Sequence, residues 1–164
     1  MINKNDKLTQ YIHILLNKSD HKYAGEGHEK SLEGVLERSF SHDDCEIVRF
    51  IIDNVSYSKE RDGKVDRGNM TPQLRFMRDV VSDADKVEAL GVEGLQRCFT
   101  YSVHIHPDYS TSELWSRVSE HLDEKLLGLL DNYIRTVGGR EMAREGHDFL
   151  VKWKEERSNH DKKM

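Results

Sequence analysis

Apolar residues recur along this chain at intervals of three and four, the spacing that lines one face of an α-helix. Leu8, Tyr11, Ile12, Leu15 and Leu16 form one such face, and Leu32, Val35 and Leu36 mark a short second one. Asp43, with Glu46 three residues on, suggests a capping box opening a helix that carries Val48, Ile51, Ile52 and Val55. Residues 56–70 read as a charged loop containing Asp62-Gly63. Thr71-Pro72 then starts a helix, because Thr caps and Pro fits the first turn. Leu74, Met77, Val81, Ala84 and Val87 follow on one face, and Gly91 breaks the run. A helix from about Val92 to Ser102 leads into a Pro107-containing loop over 104–109. The longest helix is expected to begin near Thr111 or Ser112. It carries Trp115, Val118, Leu122, Leu126, Leu129, Tyr133 and Val137, and Gly138-Gly139 is expected to end it. A last helix carries Met142, Phe149, Leu150 and Trp153, with a charged tail over 157–164. No stretch alternates with period two, so the pattern implies an all-α bundle.

Composition narrows this picture. The 164 residues suit one domain, here 1–156, and 34% charged against 36% hydrophobic residues fits helices with long charged faces. A net charge of −5 argues against a large nucleic-acid interface but leaves room for a pocket holding one nucleotide. No apolar run approaches the ~20 residues that span a bilayer. The first residues are polar without an apolar signal core, and Cys45 and Cys98 are isolated, so a soluble cytoplasmic protein with reduced thiols is expected.

Candidate chemistry lies in four segments: Leu15–Tyr23, Gly27–Ser31, Asp83–Gly91, and His121–Leu127 with the later Thr136–Leu150. Asp83 and Asp85 lie about 200° apart on an ideal helix, so only one can face inward. Asp85, beside Val81 and Ala84, is the expected one, and burial would require a cation or hydrogen-bond donors. His104 and His106 lack a nearby third ligand and read as loop residues. No GxxxxGK[ST] phosphate loop and no GxSxG elbow occur.

Together these segments resemble the HD-domain phosphohydrolase superfamily, in the branch that includes bacterial, yeast and viral nucleotide pyrophosphohydrolases. Asp83–Gly91 is similar to that branch's DADRLDAIG segment, Leu15–Tyr23 to LLHDIxDxKY, His121–Leu127 to HFxEKLL, and Thr136–Leu150 to its T…G+…A…RHxF close. The resemblance runs from about Leu8 to Glu156. It implies an HD-type bundle of about six or seven helices, lacking the usual N-terminal helix.

In such enzymes an N-terminal His, a paired His-Asp and a late Asp hold a divalent ion that activates water. Carried over, the late Asp is Asp85, while the pair falls on Asn17 and Lys18, and the N-terminal His has no counterpart. Asn54 stands where a further family histidine is found, and His28 matches one near the site. Asn is a weak ligand and a protonated Lys is none. The resemblance therefore implies a catalytically degenerate HD domain, with no metal expected at full occupancy and a Lys18–Asp85 pair in its place. Lys22, Asp83, Lys86, Lys125 and Arg140 are the substrate-binding candidates, for a nucleotide or phosphate. The alternative is an active phosphohydrolase with Mn, Mg or Fe held by substitutes among His13, Asp20, His21, His28 and Asp83. The missing helix would bare Tyr11, Ile12 and Leu15, so a homodimer or protein partner is expected to cover them.

Overall fold

The computed structural model describes residues 41–161. The chain divides into two compact units, Met1–Ser82 and Asp83–Met164. Among the described residues every regular element is helical, as the spacing of apolar positions requires. The helices read at Leu8–Leu16 and Leu32–Leu36 lie outside the described residues.

In the first unit, α1 spans His42–Asn54. Its cap is Ser41, two residues before the expected Asp43. The Ser41 hydroxyl accepts from the Asp44 main-chain N–H at 3.3 Å and donates to the Asp44 carboxylate at 2.7 Å. Glu46 pairs with Arg49 instead of reaching back to a cap. Serine wins because its short hydroxyl reaches the second and third N–H groups from extended backbone. Cys45, Val48, Ile51 and Val55 pack with Val81 into an apolar cluster, with Ile52, Leu74 and Met77 against it. The expected loop over 56–70 contains a short helix, α2, Tyr57–Arg61, before Gly63 turns the chain at φ +68°.

Helix α3 spans Pro72–Glu88 and begins as its sequence dictates. Thr71 Oγ1 accepts from the Leu74 N–H at 3.2 Å, and Pro72 occupies the first turn, where no N–H is needed. Its buried positions depart from the expected apolar stripe. Ala84 is exposed and Val87 half-buried, whereas Arg78, Asp79, Ser82, Asp83 and Lys86 are buried. Within the first unit a charge-balanced network makes this possible. The Arg78 guanidinium, fully enclosed, donates to the Asn54 carbonyl at 2.9 Å, pairs with Glu60 at 3.1 Å and donates to Asp79 at 2.9 Å. Arg67 grips the same Asp79 with two bonds, of 2.9 and 2.8 Å.

In the second unit, α3 turns into α4, Gly91–Ile105, through two residues. Gly91 has φ +76°, and a Cβ on Gly146 would meet the Gly91 nitrogen and Leu90 Cβ at 3.0 Å, so these glycines let the start of α4 lie close against the backbone at residue 146. Helix α4 runs three residues past its expected end. Helix α5, Thr111–Glu124, opens with a Ser110/Glu113 capping box. The single long helix expected from 111 to 137 is broken. Lys125 leaves helical geometry at φ −138°, a 3-10 turn covers Leu126–Gly128, and α6 is only Leu129–Asn132. Gly128 and Asn132 are poor helix formers, and His147 Nε2 donates to the Leu127 carbonyl at 3.2 Å, a partner that a continuous helix would have used. Helix α7 is Val137–Asp161, so Gly138-Gly139 opens a helix instead of ending one, and the expected charged tail is helical to Asp161. Leu95, Leu114, Val118, Leu122, Leu126, Leu129, Ile134, Ala143 and Leu150 are buried in this unit. Phe99, Trp115 and Trp153 stack in sequence, with centroids 4.2 and 5.5 Å apart.

Candidate functional site

The last turns of α3 carry the residues singled out by sequence, and they sort opposite to expectation. Asp83, not Asp85, faces inward. It is 2% exposed, while Asp85 and Ala84 are exposed. Asp83 Oδ1 accepts from the Arg135 main-chain N–H at 2.9 Å and Oδ2 from that of Thr136 at 2.7 Å. Thr136 Oγ1 in turn accepts from the Gly139 N–H at 3.0 Å. A carboxylate can be buried when donors meet both oxygens, and the chain just before α7 supplies them. Asp83 is thereby bonded to the backbone through both oxygens and presents almost no surface to a ligand.

Asp85 stands among charges of both signs. Burial raises its carboxyl pKa above the usual range. Lys86 and Lys125 oppose that, Glu88 reinforces it, and Arg97 opposes it weakly. Asp85 is thus exposed at its surface while neighbouring protein still takes water from around its carboxylate. Lys86 is itself 2% exposed, so it acts on Asp85 through its field and presents almost no surface for substrate to touch, contrary to expectation. Lys125 is half-buried at the break after α5, where its main-chain N–H caps His121 at 3.1 Å. Arg97, on α4, donates to the Glu88 carbonyl at 2.8 Å. The Cys98 thiol is pushed up by burial, with Lys125 and then Arg97 pulling the other way, so it belongs to the same neighbourhood and is poorly suited to act as a thiolate.

The structure therefore brings Asp85, Lys86 and Lys125 together. Arg140 is half-buried in the first turn of α7. Asn17, Lys18, Lys22 and His28 lie outside the described residues, as do His13, Asp20, His21 and the proposed Lys18–Asp85 pair. Asn54, at the position of a family histidine, is a structural residue of the first unit. Its amide donates to the Phe50 carbonyl at 2.8 Å and its oxygen accepts from the Asp66 N–H at 3.3 Å. Sequence reasoning missed Arg97 and Cys98, which share no motif with Asp85 and reach it only because α4 folds back against the end of α3. It also misread Gly139, whose neighbour Thr136 was the available signal of a cap.

Among the described residues no group of three or more His, Cys, Asp or Glu could hold a metal ion. Among the described residues, the charges acting on Asp85 are Lys86, Lys125 and Arg97, against Glu88. No described helix is long and apolar enough to cross a membrane.

No family model matches the chain, and no curated protein sequence matches it. Its fold is shared with the crystal structure of Bacillus subtilis YpgQ in complex with ADP, at a TM-score of 0.65 and 19% sequence identity. The likeness covers 94% of this chain and 74% of that one. At that identity it establishes the all-α fold alone.

Proposed function

We propose that this chain is an HD-type phosphohydrolase-like protein that binds a nucleotide through its phosphate groups and does not hydrolyse it at a metal centre. One observation carries the reading: the carboxylate that the resemblance assigns to the metal, Asp85, lies in the fields of Lys86, Lys125 and Arg97. Such surroundings favour an anion over a further cation. The positions that the resemblance gives to the metal-binding His-Asp pair hold Asn17 and Lys18, which supports the same conclusion. Because YpgQ was crystallised with ADP, ADP is the first ligand to try.

The test is titration calorimetry of the purified chain with ADP and with pyrophosphate, in EDTA and again in Mn²⁺. Binding is expected in both, and Lys125→Ala should weaken it by about tenfold, the scale of one lost charge-assisted hydrogen bond. No phosphate or pyrophosphate should be released from dNTPs. Stoichiometric metal in the purified protein, together with turnover abolished by Asp85→Ala, would overturn the proposal in favour of a working hydrolase. Failure of both ligands to bind would remove the nucleotide part of it.

A further inference from the structure

We infer that Asp83 is the positioning residue of the Asp85 site: a carboxylate lock that holds the start of α7 against the end of α3, with Gly139 as the gap that admits it. The effect on ligand rests on the function proposed above; the lock itself does not. Asp83 is enclosed, and both its oxygens are taken by consecutive main-chain N–H groups, at residues 135 and 136. These precede α7 directly, so a residue 52 positions earlier in the chain supplies the negative charge that the N-terminus of this 25-residue helix favours. A Cβ at position 139 would come within 2.6 Å of Asp83 Oδ2, 2.9 Å of Asp83 Cβ and 2.9 Å of Thr136 Oγ1. Only glycine leaves that space. Asp85 is two residues along the same helix and points about 200° away. Asp83 faces the backbone before α7, while Asp85 answers to Lys125 and Arg97. Because the Asp83 side chain holds the main chain at 135 and 136 to α3, opening the lock would free the start of α7 from the helix turn that also carries Asp85.

A double-mutant cycle tests this: Gly139→Ala, Asp83→Ala and the pair together, followed by thermal unfolding and by ADP and pyrophosphate titration. Asp83→Ala removes the acceptor of two main-chain N–H groups and opens space around an enclosed side chain, and should lower Tm by roughly 5–10 °C. Gly139→Ala alone should also lower Tm, because the new methyl group meets the carboxylate. In the Asp83→Ala background the contact with Oδ2 is gone while those with Cβ and with Thr136 Oγ1 stay, so the same change should cost clearly less than it does alone. That non-additivity is the signature of the lock, and additive effects would overturn it. Should Asp83→Ala not fold, hydrogen exchange in Gly139→Ala decides instead: the amides of Arg135 and Thr136 should exchange at least ~10 times faster than in the parent protein, and unchanged protection would overturn the lock. Gly139→Ala should further weaken ADP or pyrophosphate binding by about tenfold. Val118→Ala, a buried truncation distant in sequence from both carboxylates, should lose Tm and keep its affinity. A confirmed cycle with unchanged affinity would overturn the positioning role. A parent protein that binds neither ligand would defeat the proposed function, while the cycle would still decide the lock.

Discussion

Asp85 carries a conflict that a neutral amide would relieve. Burial raises its carboxyl pKa first of all, Lys86 and Lys125 recover part of that, and the net position stays above the usual carboxylate range. A carboxyl whose folded pKa lies above its unfolded one binds protons more readily in the folded state. Stability from this group is then full below the unfolded pKa and declines as pH rises through the folded value. Asp85→Asn should therefore raise Tm at pH 7 and leave it unchanged near pH 3, where the parent carboxyl is protonated in both states. Thermal melts at the two pH values check this, and a lower Tm for the variant at pH 7 would mean that Asp85 is held by partners strong enough to outweigh its desolvation. The contrast with Asp83 shows what two similar side chains two residues apart can do. One is tied to the backbone and enclosed, and the other stays exposed.

At the scale of elements, α3 owes its place in the first unit as much to ions as to apolar packing. Arg78→Ala would leave Glu60 and Asp79 buried without their shared cation and should cost about 3–5 kcal/mol, measured by urea unfolding. A loss under ~1 kcal/mol would show that water reaches the cluster. Asp79 supplies the pH dependence. Burial raises its pKa, but the hydrogen bonds from Arg67 and Arg78 outweigh that and hold it below the ordinary carboxylate value. Its contribution is therefore present above the unfolded pKa and is lost as pH falls through the lower folded one. Replacing Asp79 with Asn should flatten this acid limb of the stability curve while lowering stability at neutral pH. Helix α5 offers a simpler case. Its capping box satisfies donors on both sides of Ser110, so Ser110→Ala should cost about 1 kcal/mol, read from the same unfolding curves. An unchanged midpoint would show that water replaces the hydroxyl at no cost.

For the molecule as a whole, ligand linkage separates the proposed anion site from a metal centre. A ligand that binds only the folded chain raises Tm as its concentration passes its Kd. ADP or pyrophosphate at about 1 mM should raise Tm by at least a degree or two if its Kd is tens of micromolar, whereas Mn²⁺ alone at about 1 mM should leave Tm where it was. The reverse pattern, a large shift with Mn²⁺ and none with either anion, would contradict the anion site proposed around Asp85.

Local pattern was sufficient for the helical class, for the Thr71-Pro72 start of α3 and for the Val48–Ile51–Val55 face of α1. Each of these depends on spacing within one or two turns, where apolar periodicity and capping geometry act directly, whereas Asp85 and Lys125 were singled out through the family resemblance. The tertiary structure alone decided which of Asp83 and Asp85 is buried, where the expected long helix breaks, and why Gly138-Gly139 opens a helix. It also decided that the buried side of α3 is charged. These outcomes depend on partners 20 to 53 residues away, such as His147 for Leu127, Asn54 for Arg78 and Thr136 for Asp83. A charged side chain is buried only when such a partner meets it, and hydrophobic periodicity carries no record of that meeting.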